Sequence, residues 1–276
     1  MMEKNQGSNP DHSQIETSSP FIEFAHKKAV ASLVENAIDP KSFKNYGEAN
    51  LAADMAYVEK RKKQFEADEN KKLADIFEAL FIDAGELNNW IGDKTVITKT
   101  AEYDDIAHGI DAIVEFEETE NTYAHLATAI DVTFSGMSVR EKLASLLENI
   151  KNGKLGTIKY FRSDRDRFIG EKRQVPQAII GIERETVLEL AGLWVNHKTK
   201  ELESHPVQRL ILEELLLQLK AFREFAAKVG QNDLVLIYDR EIKILRKLLL
   251  SKQHIRLEGL SDDKVLSSLK AELANI

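Results

Sequence analysis

Tyr103-Asp104-Asp105-Ile106-Ala107-His108-Gly109-Ile110-Asp111-Ala112-Ile113-Val114-Glu115-Phe116, followed by His125-Leu126-Ala127-Thr128-Ala129-Ile130-Asp131-Val132-Thr133-Phe134-Ser135, decides how this chain folds. Both stretches contain apolar runs of strand type that carry carboxylates. In the first, Ile110, Ala112, Val114 and Phe116 alternate with Asp111, Ile113 and Glu115; in the second, Ile130, Val132 and Phe134 alternate with Asp131, Thr133 and Ser135. A period of two predicts that Asp111 and Glu115 share one strand face, and that Asp131, Thr133 and Ser135 share a face of the next strand. Sequential strands are usually neighbours, so Asp111 and Asp131 are expected to converge. Carboxylates held that close repel one another, and a hard divalent cation such as Mg²⁺ relieves the repulsion.

Upstream of this stretch the pattern is helical. Residues 1–20 are rich in Ser, Asn, Asp and Gln and are expected to be a disordered tail. Residues 21–38 carry apolar side chains at helical spacing and end at Asp39-Pro40. Residues 47–85 are expected to be mostly helix, with the charged run 59–72 as a solvated face or a break. Leu73, Ile76, Phe77, Leu80 and Phe81 form a core-facing stripe, and Gly85 is the expected stop. A short strand is expected at 95–99, then a loop over 100–109 leading into the two acidic strands.

Downstream, Ser138 followed by Glu141 reads as a capping box opening a helix that runs to about residue 152. Short strands are expected at 157–161 and 178–182, separated by a charged loop at 163–173, with a helix at 183–195. Three helices at 206–229, 234–255 and 261–275 complete the chain. The expected fold class is therefore α/β, bordering on α+β: a short mixed central sheet flanked by helices, with helical additions at both ends. The expected organisation is a tail at 1–20, N-terminal helices at 21–72, an α/β core at 73–196 and a helical region at 197–276.

Composition narrows the chemistry. With 276 residues, 43% hydrophobic and 30% charged, the chain has an ordinary globular balance. It contains no Cys, which removes disulfides, thiol nucleophiles and thiolate metal sites. No apolar run reaches the ~18 residues of a membrane span, and the polar start lacks a signal-peptide core, so a cytoplasmic location is expected. No nucleophile elbow, His-rich metal spacing or Gly-rich phosphate loop is present. The net charge of −8 provides no global attraction to nucleic acid. Two local basic runs oppose it, one from Lys151 to Arg173, interrupted by Asp164, Asp166 and Glu171, and one from Arg240 to Arg256. Either could meet a phosphate backbone or be a solvated surface.

The order helix, strand, acidic strand, acidic strand, helix, strand over residues 73–182 resembles the PD-(D/E)XK nuclease superfamily. That resemblance implies a restriction-endonuclease-like core and metal-assisted hydrolysis of phosphodiester bonds in DNA or RNA. By the same likeness Asp111, after Gly109-Ile110, corresponds to the first motif acid, and Asp131, twenty positions later, to the acid of the second. A helix acid is also implied; Glu78 is the first choice, with Asp75 behind it. Asp111, Asp131 and Glu78 would then hold Mg²⁺ or Mn²⁺. The motif lysine is replaced by Thr133, whose hydroxyl carries no charge. Lys142 is the expected substitute, because it falls within the apolar stripe Val139, Leu143, Leu146, Leu147 and Ile150 of the following helix; snorkelling to the core rim explains that position equally well.

The remaining polar residues carry weaker expectations. Glu115 could assist Asp111 or face solvent. Asp104 or Asp105 could hold a second cation, although capping of the loop is the commoner use of such residues. His108 and His125 read as structural. The alternative to a nuclease is a catalytically inactive nuclease-like scaffold that binds a protein partner or nucleic acid. Pairing of two copies through the helical regions is the further partner class the sequence allows.

Overall fold

The computed structural model describes residues 19–64, 69–120, 122–131, 136–257, 260 and 263–276. Three helices come first: α1 (Ser19–Asn36), α2 (Glu48–Lys62) and α3 (Glu69–Leu87). Strand β1 (Thr95–Lys99), helix α4 (Glu102–His108) and strands β2 (Ala112–Thr119) and β3 (Thr122–Asp131) follow. Helix α5 (Gly136–Lys151) leads into a hairpin of β4 (Gly156–Arg162) and β5 (Ile169–Val175), and then to β6 (Gln177–Gly181). The chain ends in helices α6 (Arg184–Val195), α7 (Thr199–Ser204), α8 (Val207–Lys228), α9 (Asn232–Ser251) and α10 (Lys264–Leu273).

Among the described residues the central sheet has the order β1-β2-β3-β6. Its first three strands are antiparallel neighbours, and β6 joins β3 in parallel, from Ala127 opposite Gln177 to Asp131 opposite Gly181. The fold is thus a mixed sheet between helical layers, as the alternation of patterns along the sequence predicts. Strand β2 is buried on both faces. Ala112, Val114 and Phe116 join Leu126 and the α3 stripe in the main core. Ile113 faces the other way and packs with Ile110, Ala127, Ile158, Phe161 and Val175 beneath the β4–β5 hairpin.

Strand β6 is the outer strand on its side of the sheet, and α8 covers its edge with polar side chains instead of leaving it open. The Gln218 carboxamide accepts from the Ile179 N–H at 2.9 Å and donates to the Ile179 carbonyl at 2.7 Å. Glu214 accepts from the Gly181 N–H at 3.1 Å. These two side chains make the hydrogen bonds that a further strand would otherwise make.

Several local expectations are corrected. Ser19 and Pro20 belong to α1 and not to a tail; a Pro in the first helical turn removes an N–H that has no partner there anyway. Residues 1–18 and 65–68 lie outside the described residues. Gly85 does not stop α3, which continues to Leu87. Its small size admits β1: a Cβ there would sit 2.2 Å from Ile97 Cδ1. The expected loop at 100–109 contains α4, a seven-residue helix ended by Gly109 at φ +63°, a left-handed cap that favours glycine. The charged loop at 163–173 contributes β5, whose polar residues conceal the strand because much of its surface meets water. Helix α5 starts at Gly136, before the expected Ser138 cap. Helix α7 is an addition to the expected elements. One apolar cluster runs from Ile22 of α1 through the sheet to Leu273 of α10, so all three structured segments share a core.

Candidate metal centre

Four elements converge below the start of β2. Helix α3 supplies Glu78, which sits among Ile76, Phe77, Ala79 and Leu80 and is itself 5% exposed. Strand β1 supplies Lys99. Thr95, Ile97 and Lys99 alternate as the buried residues of that strand, and Lys99 lies opposite Ala112, on the α3 face. Helix α4 supplies Asp105. The fourth residue, Asp111, lies between Gly109 and the first residue of β2.

Asp111 is held at both backbone and side chain. Its N–H donates to the Thr128 carbonyl at 2.9 Å and its carbonyl accepts from the Thr100 N–H at 3.1 Å. Its Oδ2 accepts from the Ile130 N–H at 2.6 Å, at the far end of β3. Glu78, Asp105 and Asp111 each present a carboxylate oxygen within 4.8 Å of the other two. Lys99 Nζ lies 2.6 Å from Glu78 Oε1 and 2.8 Å from Asp105 Oδ2.

The electrostatics follow from three carboxylates meeting one ammonium in a poorly hydrated place. Burial pushes the Asp111 carboxyl well above the usual carboxylate range, and Asp105 and Glu78 push it further. Burial also raises Glu78, against the opposing pull of Lys99. Burial works against the charge of Asp105 too, but Lys99 and Lys71 outweigh it and hold that carboxyl below its ordinary value. Lys99 is itself disfavoured by burial, yet Glu78, Asp105 and Asp111 together raise its pKa, so it stays cationic.

The expected site residues are distributed differently from the sequence reading. Glu78 and Asp111 meet. Asp131 is the last residue of β3, next to the Ile130 N–H that Asp111 holds; its side chain, together with Thr133 and Ser135, lies outside the described residues. Lys142 is a half-buried residue of α5 between Val139 and Leu143, and the lysine brought to these carboxylates is Lys99 instead. Asp75 turns away to His26 at 3.0 Å and Lys71 at 2.8 Å. Glu115 does not share a face with Asp111. It accepts from Ser163 Oγ at 2.6 Å and the Asp164 N–H at 3.1 Å, with His125 Nε2 3.3 Å away, on the hairpin side of the sheet. Strict alternation fails at Asp111, which precedes the first residue of β2 and whose side chain is held by the Ile130 N–H.

The two neighbouring acids of α4 part company. Asp104 is fully buried and accepts from the N–H groups of Lys159 at 2.7 Å and Tyr160 at 3.0 Å, with His108 Nδ1 2.9 Å away. It clasps α4 to β4, and His108 is part of that clasp. Asp105 faces Lys99 and joins the centre. Lys99 itself was legible in one respect: Ile97 is an obvious core residue, and period two puts Lys99 on the same side.

No protein family, curated protein or solved structure matches this chain.

The donor set is therefore judged on its own chemistry. It is all oxygen, without sulfur or imidazole, which suits hard cations such as Mg²⁺, Mn²⁺ or Ca²⁺. Oxygens around a six-coordinate Mg²⁺ at ~2.1 Å stand roughly 3–4 Å apart, a spacing the three carboxylates can meet with small side-chain shifts. The residues fit a hard divalent cation.

Proposed function

We propose that Glu78, Asp105 and Asp111 hold a divalent cation, Mg²⁺ or Mn²⁺, in a PD-(D/E)XK-like nuclease centre that hydrolyses phosphodiester bonds of nucleic acid. The observation that carries this reading is the convergence of three carboxylates about one buried lysine at the end of a mixed sheet. A bound cation in such a centre supplies an activated water and neutralises charge on the scissile phosphate. Within the chain, Lys99 would favour the ionised form of Asp105, and Asp111 would give up its proton as the cation enters. Lys99 would hold positive charge next to the phosphate, the part that Thr133 cannot play. Asp131, at the end of the neighbouring strand, remains a proposed further ligand.

A titration with Mg²⁺ and Mn²⁺ against mixed DNA and RNA substrates tests this. Metal-dependent cleavage is expected in wild type and is expected to fall by about 10²-fold or more in Asp111→Asn. A second reading, an inactive scaffold, is favoured by the pairing of Lys99 with Glu78 and Asp105, which already neutralises part of the cluster. It predicts no cleavage, and no rise in melting temperature on adding millimolar metal.

A further inference from the structure

We infer that the crease between α8 and α9 is a docking surface for the phosphate backbone of double-stranded nucleic acid, separate from the acidic centre. The inference rests on the nucleic-acid reading above for the class of partner, and adds where and how that partner is held.

The basic run of α9 is not one surface. Arg240 turns towards the sheet and binds Glu118 Oε2 at 2.7 Å and the Tyr123 carbonyl at 2.9 Å. Lys252 is buried and donates to the Asn89 carbonyl and to Gln208. Both are engaged in contacts within the fold. Lys243, Arg246 and Lys247 are exposed, and they line a crease that α8 completes with Lys220 and Arg223. Residues 243, 246 and 247 fall on one helical face, and 220 and 223 are one turn apart on the antiparallel neighbour.

The charge of the crease is not spent internally. Its five cations face two acids, Glu224 and Asp239. Asp239 pairs with Arg223 at 3.0 Å. Lys220, Lys243, Arg246 and Lys247 make no ion pair with any described residue. The result is a local excess of positive charge on a chain of net charge −8. Unpaired like charges side by side are unfavourable unless an anion relieves them.

The lining also selects the kind of polyanion. It contains no aromatic side chain, and Ile242 is its apolar member. Single-strand binding relies on bases stacked upon aromatic rings. A groove with cations and no stacking platform instead suits phosphates presented by a duplex, read without regard to sequence. The crease also stands apart from the acidic centre. Arg240 of α9 contacts Glu118 near the far end of β2, whereas Asp111 precedes its first residue. Eight strand residues span about 26 Å at ~3.3 Å each.

The test is fluorescence anisotropy of a labelled DNA duplex of about 20 base pairs with the full chain, in EDTA so that no metal-dependent cleavage occurs. Three proteins are compared over a KCl series: wild type, Lys243→Gln/Arg246→Gln/Lys247→Gln, and a charge-matched control, Lys27→Gln/Lys41→Gln/Lys44→Gln. All six positions are exposed, so folding should survive, and circular dichroism melts verify it. The crease variant is expected to bind about 10–100-fold more weakly at ~100 mM KCl, with the log–log salt slope reduced by about 2–3. The control should stay near wild type. Lys243→Glu alone should weaken binding by about 10-fold. The inference is overturned if wild type does not bind the duplex, if the crease variant keeps the wild-type slope, or if the control falls as far. It is also overturned if polyglutamate displaces the duplex at equal charge, which would make an acidic protein the better partner. Asp111→Asn separates this from the nuclease reading: it should lose cleavage in Mg²⁺ yet keep wild-type anisotropy in EDTA.

Discussion

Lys99 Nζ lies 2.6 Å from Glu78 Oε1, although the two residues come from a strand and a helix that meet only in the folded chain. This contact joins the layer of α3 to the sheet through a buried charge pair. Buried pairs contribute little net stability against an apolar replacement of both partners, but losing one partner strands the other.

Replacing Lys99 by Met should therefore destabilise the chain by about 3–5 kcal/mol at neutral pH without metal. The loss should shrink in millimolar Mg²⁺, because a cation can take over part of the neutralisation. Urea unfolding with and without metal measures both effects. Lys142→Met, at a half-buried position of α5, is expected to cost much less. Equal losses from the two substitutions would remove Lys99 from its special place.

Asp111 determines the pH dependence of the centre. Its carboxyl is pushed well above the ordinary range by burial, by Asp105 and by Glu78. Metal entry must displace its proton, so affinity should rise with pH, up to about tenfold per unit, and level off above the folded pKa of Asp111. In the metal-free protein the sign reverses. The folded state keeps the proton longer than the unfolded state, so stability falls as pH rises from about 3.9 through the folded value. Calorimetry in two buffers of different ionisation enthalpy should detect proton release on binding, and Asp111→Asn should abolish it.

Glu241 offers a second titration, away from the centre. It is a buried residue of α9 whose pKa burial raises to about 8, with Arg240 and the backbone N–H of His125 pulling the other way. Its contribution to stability is present below about pH 4.3, the unfolded value, and is lost progressively as pH approaches 8. Glu241→Gln keeps an acceptor for His125 and cannot ionise. It should match wild type at pH 5 and exceed it at pH 9 by roughly 1–3 kcal/mol. Parallel urea curves at both pH values would show no such divergence if Glu241 were solvated.

Gly85 tests the approach of α3 to β1. An added Cβ would meet Ile97 Cδ1 at 2.2 Å, so Gly85→Ala should destabilise by about 1–3 kcal/mol despite the better helix propensity of Ala. Ile97→Val removes that methyl. The double variant should recover most of the loss and show a favourable coupling in a double-mutant cycle. Additive losses would mean that the contact does not limit the packing.

Local periodicity carried much of this fold. The stripe Leu73, Ile76, Phe77, Leu80 and Phe81 defines α3 because a 3.6-residue repeat leaves one face apolar. The alternation in residues 110–116 marks β2, and the apolar run that begins at His125 marks β3 beside it. Asp111 and Glu78 were legible as candidates because each is a carboxylate next to side chains that have to be buried. The dense charges of β5 and the short α4 were poorly legible, because a solvent-facing hairpin and a seven-residue helix bury too little to impose a period.

The sequence alone thus determined the central strands, the helices that pack on them and two of the acids placed beneath the sheet. Tertiary structure decided which charges stand together. Asp104 and Asp105 are adjacent in the chain, yet one clasps β4 and the other faces Lys99. Glu115 obeys the strand alternation and points to the hairpin, while Asp111 precedes the first residue of β2 and is held by the Ile130 N–H. Arg240 and Lys243 lie on one basic helix, but one is drawn in by Glu118 and the other is left in the crease. Side-chain period is a local property of φ and ψ, whereas the pairing of buried charges depends on which distant elements the core brings within a few ångströms.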